Sequence, residues 1–161
     1  MNYSSSLNQI YIFVALSLFI SFFVNILRTD SLPYIAIPLG KIEDIDQIEN
    51  SSLQPQIREI SIDVAERLFS DSVLFIDARE EEYYIEGHIP NSICNDDFDS
   101  LVYQIEDFVT YNNGFVVYCS DDDCGSSEEL AYTLQEQGFM SIYVFKGGWK
   151  QWTNNNLPVS K

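Results

Sequence analysis

Two cysteines lie five positions apart in the segment YCSDDDCGSS, which covers residues 118–127. An apolar run at residues 115–118 predicts a buried strand before Cys119, and residues 126–137 predict a helix after the loop. A thiol between the end of a strand and the start of a helix is well placed for reaction, because the N–H groups of the helix stabilise a thiolate. The pattern therefore predicts Cys119 as a nucleophile, with a cysteine that merely packs as the alternative.

The three aspartates between the cysteines, Asp121, Asp122 and Asp123, oppose thiolate formation. A carboxylate roughly 4 Å away costs about 4 kcal/mol at an effective dielectric constant near 20, and much less when it is solvated. The start of a helix contributes only about 0.3–1 kcal/mol at an exposed site. The aspartates therefore outweigh the helix unless their side chains point outward.

Cys124 has two possible roles: it is a resolving thiol for Cys119, which includes closing a disulfide with it, or it packs beneath the loop. The short connection permits a disulfide, which requires Cα atoms within ~7 Å. Two cysteines are too few ligands for zinc, and Cys94 and His88 would have to converge on the loop to complete a site. We therefore expect no metal and no cofactor.

Composition narrows the function further. The chain has 161 residues, of which 46% are hydrophobic, and its 8 basic and 25 acidic residues give a net charge of -17. This charge argues against binding to nucleic acid or to anionic lipid. Three cysteines are too few for a disulfide scaffold, and the hydrophobic content is sufficient for a core.

The N-terminal segment predicts a membrane helix. Residues 10–27 carry no charge, and at ~1.5 Å per residue such a helix spans ~27 Å, close to the ~30 Å hydrocarbon core. Residues 1–9 lack Lys and Arg, and no cleavage signature follows, so an uncleaved single-pass anchor is favoured over a signal peptide. Arg28 favours a cytoplasmic domain after the span. We expect a tail at 1–9, the anchor at 10–27, a linker at 28–56 and a domain at 57–161.

The domain alternates strand and helix patterns, which predicts an α/β fold with a mainly parallel sheet. Strands are predicted at 58–60, 73–76, 92–94, 115–118 and 142–145. Helices are predicted after an N-cap at Ser61 and at 80–86, 96–109 and 126–137. Ligands of such sheets bind beyond the carboxyl ends of the strands, where Cys119 lies.

Four motifs, in order, resemble those of rhodanese-like domains. They are FIDAR at 75–79, EGHIP at 86–90, VYC at 117–119 with its following helix, and GF at 138–139 with VFKGGWKQW at 144–152. The resemblance covers roughly residues 57–157. It implies a five-stranded parallel sheet flanked by helices, and a cysteine that accepts a sulfane sulfur as a persulfide.

The loop departs from the pattern of this family. Cys119 and Ser127 lie two residues further apart than usual, and neither Arg nor Lys occurs between Cys119 and Lys146. We expect the loop backbone to cradle the persulfide anion. The residues of this predicted cradle are Ser120, Asp121, Asp122, Asp123, Gly125, Ser126 and Ser127.

Four other residues are predicted to support the structure. Asp77, at a strand end, is expected to accept N–H bonds, and Arg79 to pair with a carboxylate such as Glu86. His88 lies in the EGHIP segment, and the resemblance to the family implies that it makes a structural hydrogen bond. Trp149 and Trp152 are expected to pack.

The leading functional hypothesis is a sulfur relay or thiol-redox chemistry at Cys119, with Cys124 assisting. The expected partner is a thiol or persulfide donor or acceptor, most readily protein-borne, because the aspartates repel small dianions such as thiosulfate. The alternative is a catalytically silent, rhodanese-like module that binds a protein at the membrane. Phosphatase chemistry is disfavoured because the loop has no cation to hold a phosphate.

Overall fold

The computed structural model describes residues 3–27, 39–43 and 56–161. The chain forms two compact units, residues 1–38 and residues 39–161. The first unit contains helix α1 (Tyr3–Leu27). Its segment Asn8–Leu27 is long enough and apolar enough to cross a membrane, a property that membrane anchors share with signal sequences.

The second unit is built on a five-stranded sheet, and every pair of neighbouring strands is parallel. The strands are β1 (Gly40–Ile42), β2 (Gln56–Ile60), β3 (Phe75–Asp77), β4 (Phe115–Tyr118) and β5 (Ser141–Phe145), in the spatial order β1-β2-β5-β4-β3. The predicted α/β class and the five-stranded parallel sheet are confirmed. Parallel neighbours place the carboxyl ends of β3, β4 and β5 along one edge.

In the part of the chain that the structure describes, five helices flank the sheet, and those with buried side chains cover both of its faces. They are α2 (Ile62–Ser70), α3 (Glu81–Glu86), α4 (Phe98–Phe108), α5 (Ser126–Glu136) and α6 (Gly148–Asn154). Alternate strand residues enter two hydrophobic clusters, one shared with α2 and α6 and the other with α4 and α5. The predicted N-cap is confirmed, since the Ser61 side chain accepts a hydrogen bond from the N–H of Val64.

The fifth strand is not the predicted one. The segment 92–94 makes only an isolated bridge, in which Ile93 pairs with Ile76, and the sheet instead includes Gly40–Ile42 from the predicted linker. A three-residue strand leaves too short a pattern for detection by alternation. Ile42 is nevertheless buried and belongs to the core. The rest of the predicted linker lies outside the described residues, apart from Leu39, Glu43 and Gln56.

The helix predicted at 96–109 forms as α4, and Leu101 and Ile105 are buried as its periodicity indicates. Phe108 continues the same helical spacing, which predicts an inward-facing side chain, but it is 66% exposed. It is the last residue of α4.

Candidate active site

The site is built at the carboxyl edge of the sheet, where β3 and β4 end side by side. Asp77 and Tyr118, the last residues of these strands, are partners in the parallel register. Cys119 follows Tyr118 directly, so its position is fixed by whatever holds the end of β4.

A buried ion pair lies at this edge. The Arg79 Nη2 atom is 2.6 Å from Asp77 Oδ2, and Arg79 Nε is 2.9 Å from Asp77 Oδ1. The Arg79 backbone N–H also donates to Asp77 Oδ1 at 3.0 Å. Asp77 therefore accepts an N–H bond as predicted. Arg79 pairs with this carboxylate and the carbonyl of Gly87, whereas the predicted partner Glu86 is exposed.

The negative charge of Asp77 acts on both Arg79 and Tyr118. Burial disfavours the charged guanidinium, but the hydrogen bond and the attraction of Asp77 outweigh it and raise the pKa of Arg79. Burial, followed by the negative charge of Asp77, raises the pKa of Tyr118. Tyr118 therefore stays a neutral phenol, and its hydroxyl donates to Asp77 Oδ2 over 2.6 Å.

The Tyr118 hydroxyl extends this network to the EGHIP segment and to the residues that follow it. It accepts a hydrogen bond from the N–H of Ile89 at 3.2 Å and lies 3.3 Å from the hydroxyl of Ser92. Both of these residues are buried. The network holds the last residue before Cys119 through its side chain.

His88 makes structural contacts in this segment. Its backbone N–H donates to the carbonyl of Ser160, and its carbonyl accepts from the Ser160 N–H. Its Nδ1 atom lies 2.8 Å from the carbonyl of Tyr84, and the two rings stack. These contacts join the EGHIP segment to the C-terminal end of the chain.

Helix α6 holds the cysteine from the opposite side through its backbone. The N–H of Trp149 donates to the carbonyl of Cys119 at 2.8 Å, and the N–H of Lys150 donates to the carbonyl of Ser120 at 2.9 Å. Gly148 has a φ of +55°, and a Cβ there would lie 2.3 Å from the Cys119 carbonyl oxygen. Only glycine permits this close approach.

The tryptophans pack as expected. The Arg79 guanidinium lies 4.9 Å from the ring centroid of Trp149, which ties the ion pair to α6. Trp152 is fully buried, and its Nε1–H donates to the carbonyl of Pro158.

Cys119 and Cys124 form a disulfide in this structure, with their Cα atoms 6.2 Å apart. The N–H of Cys124 donates to the carbonyl of Asp121 at 3.1 Å, which closes a turn that brings the second cysteine back toward the first. Cys119 is only 2% exposed, whereas Cys124 is partly exposed. The two sulfurs therefore differ in their access to solvent.

The acidic loop has a cationic partner that the sequence does not indicate. Asp121 Oδ2 lies 3.4 Å from Lys150 Nζ, so α6 supplies a cation that the loop itself lacks. Asp122 and Asp123 are exposed to solvent. Solvation weakens their effect on a neighbouring charge.

One of the two acids in the first turn of α5, Glu128 and Glu129, has a cationic partner. Glu128 lies 2.8 Å from Lys146 Nζ, and the hydrogen bond to this carboxylate raises the pKa of Lys146. Gly125 occupies the N-cap and therefore supplies no side-chain acceptor to the helix N–H groups.

Ser127, the second residue of α5, is 1% exposed. Among the described residues, the Oγ atom of Ser127 is the one buried side-chain oxygen or nitrogen that has no hydrogen-bond partner. Buried hydroxyls normally find a partner. Ser127 thus has a free donor at the start of the helix that follows the cysteine loop.

Cys94 is a free, half-buried thiol, and its Sγ donates to the carbonyl of Arg79 at 3.2 Å. Burial, followed by the negative charges of Asp77, Asp96 and Glu81, raises the pKa of Cys94 to about 12. It therefore remains protonated near neutral pH. Among the described residues, no three His, Cys, Asp or Glu side chains are grouped to hold a metal ion.

Residues 62–155 match the rhodanese-like domain family. Since the match covers more than half of the 161-residue chain, the protein belongs to this family.

Individual relatives show low sequence identity to this chain. An uncharacterized protein of Buchnera aphidicola is 32% identical over 88 residues, which are 54% of this chain and 60% of that protein. The thiosulfate sulfurtransferase GlpE of Ectopseudomonas mendocina is 28% identical over 100 residues, which are 60% of this chain and 85% of that protein. The solution structure of an Anabaena rhodanese-like domain matches with a TM-score of 0.52 at 18% identity, over 68% of this chain and 80% of that one.

Sequence reasoning placed Cys119 beyond the carboxyl end of one strand and Asp77 at the end of another, and these two strand ends lie side by side in the sheet. It missed the buried hydroxyl of Tyr118 and the cation at Lys150. The apolar run at residues 115–118 was a usable signal for Tyr118, because a phenol in a buried strand needs a hydrogen-bond partner. Lys150 lies 29 positions from Asp121, and no local pattern links them.

We predict that Gly148→Ala destabilises the domain by at least about 2 kcal/mol, because it combines a left-handed backbone with a clash against the Cys119 carbonyl. The free energy of unfolding is measured by urea titration of tryptophan fluorescence. Gly125→Ala is the matched control, since a Cβ there meets nothing within 4 Å; we expect it to change the value by less than about 1 kcal/mol. Equal effects of the two substitutions would contradict the inferred contact.

Proposed function

We propose that this protein relays sulfane sulfur through a persulfide on Cys119. The observation that carries the proposal is the position of Cys119 at the carboxyl end of β4, before a helix whose buried Ser127 hydroxyl lacks a partner. A persulfide anion accepts hydrogen bonds, so this hydroxyl and the first N–H groups of α5 suit its charge. Family membership and a relative named thiosulfate sulfurtransferase support sulfur transfer as the type of reaction.

The relay has two steps. The Cys119 thiolate attacks the sulfane sulfur of a donor, and the bond between that sulfur and the rest of the donor breaks with its electron pair. An acceptor thiolate then attacks the outer sulfur of the persulfide, which restores the Cys119 thiolate. Reduction of the disulfide must come first, because a bonded Cys119 has no thiolate to offer.

The charge of the loop selects the donor. Asp122 and Asp123 are exposed beside the cysteines, and Asp121 has one cationic partner, Lys150. A dianion such as thiosulfate is repelled by this surface. The loop suits a donor without excess negative charge, or a protein whose contacting surface is basic.

A catalytically silent, partner-binding module is the second candidate. It is favoured by the burial of Cys119, which is 2% exposed and closed in a disulfide. The two candidates differ in whether the reduced protein transfers sulfur at all.

We predict that the reduced protein transfers sulfur from cysteine persulfide to cyanide, and that thiosulfate is a donor at least about tenfold poorer in kcat/KM at low salt. Cysteine persulfide carries balancing amino and carboxylate charges, so the loop repels it less. Thiocyanate formation is the readout, and Cys119→Ser measures the uncatalysed background. Activity no higher than that background with both donors, in wild type and in Cys124→Ser, would favour the silent module.

Neutralising the loop tests the electrostatic explanation. Replacing Asp121, Asp122 and Asp123 by Asn is expected to raise kcat/KM for thiosulfate by about tenfold and to leave cysteine persulfide within about twofold. The matched control replaces the exposed acids Asp99, Glu106 and Asp107 of α4 by their amides, which changes net charge equally. A similar gain from both triple variants would show that the local position of the aspartates is irrelevant.

We also propose that α1 anchors the protein in a membrane, with the domain on the cytoplasmic side. Its 20-residue apolar segment Asn8–Leu27 supports the anchor, and Arg28 supports the orientation. The full-length chain is therefore expected to stay in the membrane fraction after carbonate washing and to dissolve in detergent. Recovery of a shortened soluble form that begins near Thr29 would identify the segment as a signal peptide instead.

A further inference from the structure

The disulfide joins two cysteines with different access to solvent. Cys119, the proposed persulfide carrier, is 2% exposed, and Cys124 is partly exposed. The loop that carries them is held by α6, whose N–H groups donate to the carbonyls of Cys119 and Ser120. With the loop in this position, the two sulfurs are bonded. The folded loop therefore brings Cys124 Sγ into bonding contact with Cys119 Sγ.

We propose that Cys124 discharges the Cys119 persulfide as hydrosulfide, so that the disulfide in this structure is the product of the reaction. This inference rests on the proposed function, because it requires a persulfide on Cys119. It adds a second activity, the reduction of sulfane sulfur to sulfide.

The step balances within the loop. The Cys124 thiolate attacks the inner sulfur, Cys119 Sγ, and forms the Cys119–Cys124 bond. The bond between the inner and outer sulfur breaks, and its electron pair leaves with the outer sulfur as HS⁻. The sulfane sulfur is reduced to sulfide while the two cysteines are oxidised to a disulfide.

Geometry favours attack on the inner sulfur over the outer one. The persulfide leaves Cys119 Sγ in its place at the end of β4 and adds one atom beyond it. The Asp121 carbonyl holds the N–H of Cys124 in a turn with the two Cα atoms 6.2 Å apart, which is within the range for a direct disulfide. An external acceptor competes only by reaching the outer sulfur first.

The cycle then requires a dithiol reductant. One of its thiolates attacks Cys124 Sγ, the more exposed sulfur, and Cys119 leaves as the thiolate that α5 stabilises. The second thiol of the reductant attacks the mixed disulfide and frees Cys124. Each persulfide discharged thus consumes one dithiol. The reductant must therefore be supplied by a reaction that regenerates dithiols.

A single-turnover experiment on the full-length chain in detergent tests this proposal. The protein is reduced, freed of reductant and mixed with about one equivalent of cysteine persulfide. Wild type is expected to release about one hydrosulfide per chain and to lose two hydrogens in mass as the disulfide forms. Cys124→Ser is expected to gain one sulfur atom on Cys119 and to release at least about tenfold less hydrosulfide.

Three controls make the outcomes distinct. Cys94→Ser removes the free thiol and is expected to behave as wild type, and Cys119→Ser measures background release. Cys124→Ala repeats the Cys124→Ser result without a hydroxyl, and the tryptophan fluorescence of each variant checks its fold. If wild type retains the persulfide as Cys124→Ser does, the inference is overturned and the relay stands. If neither acquires sulfur, the relay is overturned as well.

Discussion

The buried ion pair between Asp77 and Arg79 is the interaction on which the site depends. Its side chains are 0% and 6% exposed, so removal of one partner would leave a buried charge and cost about 3–5 kcal/mol. Good geometry and additional hydrogen bonds offset the free-energy cost of removing the pair from water. Asp77 accepts from Tyr118, and Arg79 donates to the carbonyl of Gly87. The ends of β3 and β4 and the turn after α3 are thereby joined in one network.

The chemistry of the loop follows from what this network holds and what it leaves free. The backbone at Cys119 is fixed by Tyr118 on one side and by the N–H groups of α6 on the other. Beyond Ser120, the described contacts are a turn, an exposed ion pair and the disulfide itself. An exposed ion pair contributes little to stability. We therefore expect reduction of the disulfide to give Cys124 more freedom of movement than Cys119.

Much of the fold was predictable from local patterns, because buried strands and amphipathic helices leave periodic signals. The short strand Gly40–Ile42 was not, because three residues show no reliable alternation. At the site, the cysteines were evident from their position between a strand and a helix. Arg79 was expected to pair with a nearby carboxylate such as Glu86, and the carboxylate that it contacts is that of Asp77, because sequence alone cannot choose among nearby carboxylates. Lys150 was missed because its approach to Asp121 depends on how α6 docks at the sheet edge.

We infer that the start of α5 and the hydroxyl of Ser127 stabilise a Cys119 thiolate despite the aspartates. The most direct measurement is the alkylation rate of Cys119 against pH in the Cys124→Ser variant, with peptide mass analysis separating Cys119 from Cys94. Stabilisation of the thiolate predicts a midpoint below the ordinary cysteine pKa of about 8.5. A midpoint at or above that value would show that burial and the aspartates prevail, and it would contradict the account.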